Sequence, residues 1–153
     1  MQMGFLTYLL FTLVAAIFTA YTLNMQKTTL AIGKRLAPDN PLLPTGFQDA
    51  ITPPSQDRNN TTMFILLPVV LLWGFVLFKW YWALLWFGLF FYVLTPLCSA
   101  LFVPRAGSAH YANQIRRSLV RRLNEYRRTG DKAREEALLE VLSRLDILQK
   151  VEG

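Results

Sequence analysis

An apolar tract of 41 residues, from Met63 to Val103, constrains this chain more than any other feature, and Lys79 is its only charged residue. A single helix of that length, rising about 1.5 Å per residue, would be about 60 Å long, twice the roughly 30 Å hydrocarbon core of a bilayer. Divided at Lys79, the tract becomes segments of 16 and 21 residues, each near spanning length once flanking residues and tilt are included. The tract therefore predicts a transmembrane helical hairpin over 63–103 that turns near 79–82.

The residue types at the division agree with a turn at the membrane surface. Trp and Tyr favour the headgroup level because an apolar ring carries a polar N–H or O–H group, and a lysine near a helix end can reach water. At the bilayer centre a lysine would cost about 2.5–3.5 kcal/mol. We expect an interfacial anchor made by Lys79, Trp80, Tyr81 and Trp82. The stretch contains no Gly or Pro to make a tight turn, and the alternative is a functional lysine inside the membrane.

A second apolar block opens the chain, since Met1 to Leu23 carries no charged side chain. The chain is 53% hydrophobic and 14% aromatic, above ordinary soluble domains, and the segregation of these residues indicates a bilayer. The block lacks the basic start and the cleavage site of a secretory signal, so we expect a mature span. Residues 1–36 are predicted as a transmembrane helix that can extend into the cytoplasm.

Residues 37–62 are predicted as a Pro-rich cytoplasmic loop, because proline interrupts helices. The prolines concerned are Pro38, Pro41, Pro44, Pro53 and Pro54. The NNTT stretch at 59–62 is suited to capping the second span, whose first N–H groups need acceptors. Pro96 interrupts the third span, where the Thr95 and Ser99 hydroxyls can satisfy a freed carbonyl.

The basic residues predict the sidedness of the chain. Of 16 Lys and Arg, 15 lie in the polar segments 24–62 and 105–153, which share one side of the membrane if there are three crossings. The positive-inside rule makes that side cytoplasmic, so the N-terminus lies outside, in a bacterial inner membrane or its equivalent. The same rule accounts for the net charge of +6 without nucleic acid, which we do not expect as a partner.

The basic tail, residues 104–153, is predicted as a hairpin of two amphipathic helices. The first, about Ala109 to Arg128, has one apolar face made by Tyr111, Ile115, Leu119, Leu123 and Tyr126. The second runs from about Asp131 to Lys150, and in the intervening RTGD stretch Gly130 suits a left-handed helix end and Asp131 an N-cap. The predicted fold is thus an all-α integral membrane protein with an N-terminal span, a transmembrane hairpin and a C-terminal cytoplasmic amphipathic helical hairpin.

Each tail helix has an apolar face that it can bury on the other helix, on a partner or in the membrane interface. The second helix is the more acidic and leucine-rich, so we expect it to contact a partner helix. The residues predicted for this contact are Leu138, Val141, Leu142, Leu145 and Leu148.

Arginines dominate the first tail helix, which carries three Arg-Arg pairs on a broad polar flank. One interpretation is a solvated cytoplasmic helix that follows the positive-inside rule. The sharper one is a surface for anionic lipid or a partner, worth about 1 kcal/mol per base near the headgroups. The residues predicted for it are Arg105, Arg116, Arg117, Arg121, Arg122, Arg127 and Arg128.

The sequence contains little that indicates a reaction. With His110 as the only histidine and Cys98 as the only cysteine, histidine-based metal clusters, zinc thiolate sites and internal disulfides are excluded. No Gly-rich phosphate loop is present, and apart from Lys79 the spans carry no acid or base. We therefore expect no catalytic residue and no cofactor.

Three functions are consistent with these features. The first is a small non-catalytic accessory or assembly subunit of a larger membrane complex, which docks partners through its cytoplasmic tail. The second is a homo-oligomeric channel or transporter component whose path is lined by Lys79 and the Thr95, Pro96 and Ser99 region. A membrane enzyme that uses arginines on an anionic substrate has the least support. The expected partners are the bilayer with its anionic headgroups, and other subunits or further copies of the chain.

Overall fold

The computed structural model describes residues 2–36 and 51–152, and within these ranges the chain is helical and contains no strand. The elements, in chain order, are α1 (Gln2–Leu36), α2 (Pro54–Leu77), α3 (Trp80–Leu89), a π-helical segment (Phe90–Leu94), α4 (Thr95–Leu101), α5 (Ala109–Thr129) and α6 (Lys132–Glu152). The predicted all-α class is confirmed for the described residues, and α1 runs without interruption to Leu36.

Within the part of the chain that the structure describes, three helical stretches are long and apolar enough to cross a membrane: Gly4–Leu36, Ser55–Leu77 and Trp80–Leu101. The chain divides into two compact units. Unit 1 comprises Met1–Asn24 and Arg58–Arg105, and unit 2 comprises Met25–Asp57 and Ala106–Gly153.

The long apolar tract reverses direction beside Lys79. α2 ends at Leu77 and α3 begins at Trp80, so two residues connect them. A Cβ built on Gly74 would lie 3.6 Å from the Cβ of Ala83, whereas one continuous helix would separate these positions by about 13 Å. The prediction of two helices in this tract is therefore confirmed.

The reversal needs neither glycine nor proline because it uses ordinary backbone conformations. Lys79 is extended, with φ −61° and ψ 147°, and among the described residues no non-glycine residue has a positive φ. The Lys79 carbonyl accepts the N–H groups of Trp82 and Ala83, at 2.9 and 3.1 Å. Residues 80–82 therefore form the first turn of α3 rather than the tip of the hairpin.

α2 begins at Pro54, so residues 54–62 of the predicted Pro-rich loop are helical. Proline is tolerated at the first helical position because the N–H it lacks would have no acceptor within the helix. The Gln56 N–H donates to the Pro53 carbonyl at 2.8 Å and closes the first turn. The NNTT stretch consequently lies inside the helix, and residues 37–50 of the predicted loop lie outside the described residues.

In unit 1 the buried face of α1 is made mostly of small residues. These are Thr12, Ala15, Ala16, Thr19 and Ala20. Small side chains let neighbouring helices approach closely, and the alanines share one cluster with Val70, Phe90 and Cys98 from the other helices of the unit. At the end of this face, Asn24 Nδ2 donates to Ser99 Oγ at 2.9 Å and to the Pro104 carbonyl at 3.1 Å.

The π-helical segment lies directly before Pro96. The backbone N–H and the Oγ1 of Thr95 both donate to the Phe90 carbonyl, the latter at 2.8 Å. Five residues along an α-helix would turn Thr95 about 140° away from Phe90, but the i→i+5 geometry brings it to the same side, and both side chains are buried. The Phe90 carbonyl already accepts the Thr95 N–H, so the Thr95 hydroxyl does not serve a carbonyl freed by Pro96 as predicted. Ser99 accepts a hydrogen bond from Asn24.

In unit 2 the two tail helices pack on each other, which is one of the three ways in which the sequence allowed their apolar faces to be buried. The expected face of α5 is buried at Tyr111, Ile115, Leu119 and Leu123. Ile115, Leu119 and Leu123 form one core with residues of α6 and with Leu36 and Ile51.

The turn between α5 and α6 also follows its sequence. Gly130 has φ 74° and ψ 16°, the left-handed conformation that glycine adopts without strain. The N–H of Asp131 reaches back to the Tyr126 carbonyl at 3.2 Å, a Schellman-type ending. Asp131 Oδ1 then accepts the Arg134 N–H at 3.2 Å and caps α6.

Gly74 is the position in unit 1 where an added methyl group should matter most. Its Cβ would lie 2.9 Å from the Tyr8 hydroxyl, which donates to the Val70 carbonyl at 3.2 Å. Gly74→Ala should therefore destabilise the chain by about 1–3 kcal/mol, measured by thermal unfolding in detergent. Tyr8→Phe removes the atom in the way, so the double variant should be about as stable as Tyr8→Phe alone.

Gly88→Ala is the matched control, because nothing lies within 4 Å of the added Cβ. It should remain within about 1 kcal/mol of the wild type, on the stabilising side. Equal effects at Gly74 and Gly88, or no rescue by Tyr8→Phe, would contradict the close approach of the helices at Gly74.

Candidate functional site

The arginines of α5 form the most concentrated charged feature of the described residues. α5 contains six Arg, no Lys and one acid, Glu125. Because its apolar face is buried in the core of unit 2, the arginines lie on the remaining surface and all are exposed. The structure divides them into three groups according to their acidic neighbours.

Two of the predicted arginines pair with acids of α6. Arg116 Nε lies 3.2 Å from Asp146 Oδ1, and Arg127 Nε donates to Glu135 Oε1 at 2.7 Å. The exposed side chains limit each ion pair to about 0–1 kcal/mol. These two arginines therefore serve the packing of α5 on α6, and their charge is largely neutralised within the chain.

The other arginines keep more of their charge. Arg121 and Arg122 share Glu125, each at 3.9 Å. For Arg117 and Arg128, and for Arg105 in unit 1, no carboxylate oxygen of the described side chains lies within 4.0 Å. The free positive charge of α5 is thus concentrated at 117, 121, 122 and 128.

The leucines predicted to contact a partner helix belong mostly to the core of unit 2. Leu138, Val141 and Leu145 are fully buried against α5, and Leu142 packs partly buried on the same core. The prediction of a partner surface at these positions has to be corrected, because α5 already covers them. The side chain of Leu148 lies outside the described ones.

The predicted interfacial anchor is exposed, as an anchor requires. Trp80, Tyr81 and Trp82 are 67%, 45% and 54% exposed, and successive rings are 5.9 and 5.8 Å apart. Lys79 beside them is also exposed. A lysine and three amphipathic rings thus stand together at one end of the α2–α3 hairpin.

The polar groups inside the apolar helices bond mainly to their own backbone. Thr12 donates to the Tyr8 carbonyl at 2.7 Å and Thr22 to the Phe18 carbonyl at 2.9 Å. Thr95, which was predicted to line a transport path in the alternative function, is buried and bonded to its own helix. The sequence did not predict the roles of Tyr8 and Asn24, although a lone amide just after an apolar block is a usable signal.

A shallow pocket of about 250 Å3 lies in unit 2. Its lining residues are Gln26, Thr29, Leu30, Ile51, Thr52 and Gln56. The Thr29 hydroxyl lies 2.9 Å from Gln56 Oε1 and 3.0 Å from the Met25 carbonyl oxygen. The pocket walls offer hydrogen bonds, but none of these six described residues has a titratable side chain that could transfer a proton.

Among the described residues, no three His, Cys, Asp or Glu side chains lie close enough together to bind a metal ion. His110 Nε2 lies 3.1 Å from Gln114 Nε2 on the exposed side of α5.

No protein-family model, no curated protein and no solved structure matches this chain. The side chains described above are therefore the basis for inferring its function.

Adjacent leucines of α6 test whether its leucines belong to the core or to a partner surface. Leu138 is 0% exposed and Leu139 is 42% exposed. Leu138→Ala should lower the free energy of unfolding by about 2–5 kcal/mol, and Leu139→Ala should change it by no more than about 0.5 kcal/mol. Urea unfolding of the purified full chain, followed by hydrogen exchange of α5 and α6, measures both. Similar small losses at both positions would mean that α5 does not cover Leu138.

Proposed function

We propose that this chain is a small non-catalytic accessory subunit of a larger membrane complex. Its three apolar helices cross the bilayer, and its N-terminus lies outside. Its tail lies in the cytoplasm, where it docks partners. The three parts of this proposal rest on the outer faces of the apolar helices, on the surface of α6 and on the distribution of basic residues.

The observation that carries the proposal is the character of the outer faces of α2, α3 and α4. Large apolar side chains cover these helices and the π-helical segment between α3 and α4, including Phe64, Ile65, Leu72, Val76, Tyr92, Val93 and Leu97. The hydroxyls of Thr12, Thr22 and Thr95 are meanwhile bonded to their own helices. Such faces suit lipid tails or the apolar helices of another subunit, whereas a transport path needs polar groups that face outward from the unit.

The tail offers a second surface for a partner on α6. Leu138, Val141 and Leu145 are buried in the core of unit 2, so a partner can contact only the aliphatic side chains of α6 that remain exposed. Leu139 and Ile147 are 42% and 60% exposed, and they lie eight residues apart on one side of α6. We place the protein-docking face of the tail there.

The orientation follows from the number of spans and the distribution of charge. Three crossings put residues 24–62 and 105–153 on one side, and these segments hold 15 of the 16 basic residues. The positive-inside rule makes that side cytoplasmic. Lys79, at the turn between α2 and α3, then lies on the opposite side.

Native mass spectrometry after gentle detergent extraction tests the accessory role. We expect stoichiometric co-purification of unrelated membrane subunits, and a roughly ten-fold loss of that co-purification in Leu139→Asp/Ile147→Asp, because the exposed aliphatic contacts of α6 are removed. Val120→Asp is the matched control, since Val120 is an exposed aliphatic residue of α5 and should retain the partners. A closed homo-oligomer without other subunits would contradict the accessory role and favour the homo-oligomeric channel or transporter.

Cysteine labelling tests the orientation with a low background, because Cys98 is buried and is the only cysteine. A membrane-impermeant maleimide applied to intact cells should label Lys79→Cys and not Ser143→Cys, because the two exposed positions lie on opposite sides. After permeabilisation both variants should be labelled, and the wild type serves as the blank. Labelling of Ser143→Cys in intact cells would overturn the proposed orientation.

A further inference from the structure

We infer that one face of α5 is a binding site for anionic lipid headgroups, made by Arg117, Arg121 and Arg128. Together with Asn124 these residues form what we call the arginine stripe. Successive members lie 4, 3 and 4 residues apart, which places them on a single helix face. All four are exposed, and the stripe is about 16 Å long.

The stripe retains its positive charge because the acids of the tail lie elsewhere. Asp146 and Glu135 are engaged by Arg116 and Arg127. Among the described side chains, the acid within 4.0 Å of a stripe arginine is Glu125, which lies 3.9 Å from Arg121 and at the same distance from Arg122, so it neutralises neither fully. A row of arginines without matching acids is complementary to an anionic surface.

The exclusive use of arginine as the basic residue of the stripe favours a phosphate group as the ligand over a surface with only a general negative charge. α5 contains six arginines and no lysine, whereas α6 mixes Lys132 and Lys150 with arginines. A guanidinium group presents a planar fork of N–H donors that fits two oxygens of one phosphate, which an ammonium group does not. The phosphodiester of an anionic phospholipid offers these oxygens together with a negative charge.

The short connection between the apolar tract and α5 favours a lipid phosphate over a phosphate free in solution. α5 begins at Ala109, six residues after Val103, the last residue of the apolar tract, and six residues reach at most about 22 Å. If the apolar helices cross the bilayer, this short connection keeps the beginning of α5 near the headgroups at a high effective concentration. In this respect the inference rests on the proposed function.

A fluorescent probe on Asn124→Cys in the otherwise intact full chain tests the stripe directly. In nanodiscs we expect the emission to shift to the blue in an equal mixture of phosphatidylcholine and phosphatidylglycerol, and not in phosphatidylcholine alone. High salt should reduce the shift because it screens the charges. In detergent, replacing the three arginines with glutamine should raise the half-saturating concentration of short-chain phosphatidylglycerol roughly 100-fold.

The matched control removes the same charge from the other helix of the hairpin, through Lys132→Gln, Arg134→Gln and Arg144→Gln. These side chains are exposed on α6, so the control should keep the wild-type response. Equal losses in the two triple variants would overturn the stripe as a site, because bulk charge would then suffice. An equal response of the wild type to polyglutamate would reassign the face to an acidic protein partner.

Co-purification of other subunits, measured on the same variants, separates this inference from the accessory role. Loss of the lipid response with retained subunits in the stripe variant supports the inference. A wild type that keeps its subunits but gives no response to anionic lipid overturns the stripe and leaves the proposed function intact.

Discussion

The reversal of the apolar tract at Phe78 and Lys79 is the constraint on which the rest of the structure depends. In an apolar environment a chain can leave few backbone groups without hydrogen bonds, and here the α2–α3 connection is only two residues long. The Phe78 N–H completes the last turn of α2 on Gly74, and the Lys79 carbonyl accepts from the first turn of α3. This reversal makes the number of long apolar helices odd, and from that number follows the proposal that both polar segments share one side.

In unit 1 the buried face of α1 differs in residue size from the exposed faces of the helices. α1 buries alanines and threonines and exposes Leu6, Leu10 and Val14 on its other side, and the helices after it likewise expose large aliphatic and aromatic side chains. Small residues on α1 permit close packing within the chain, and the bulky residues remain for whatever surrounds it. The tail follows the same principle, since Leu119, Leu138 and Leu145 are inside and its arginines outside. In both units, the proposed contacts with lipid and partners use side chains that the fold itself does not need.

Helix faces and local turns could be predicted from the sequence. Features that depend on which helices pack against each other could not. The buried face of α5 and the Gly130–Asp131 turn each follow from a few neighbouring residues. The start of α2 was misplaced because Pro54 ends one element and opens another equally well. The partner leucines were misassigned because an apolar helix face does not identify what will cover it. The free arginines could not be separated from the paired ones, since pairing with Asp146 or Glu135 depends on the packing of α5 against α6.

The π-helical segment at Phe90–Leu94 rotates α4 about the helix axis, compared with its position in an uninterrupted α-helix that continues α3. On an α-helix, alternating steps of four and three residues from Ala83 lead to Phe90 and then to Leu94. The wider π-helical turn contains one extra residue, so the buried face continues at Thr95 instead. Ala83, Phe90, Thr95 and Cys98 are nevertheless all buried. Loss of one residue from the wide turn would therefore act as a rotation of everything beyond it, by about 100°. The length of the chain in this short stretch, more than the identity of any side chain, decides which residues of α4 meet α1.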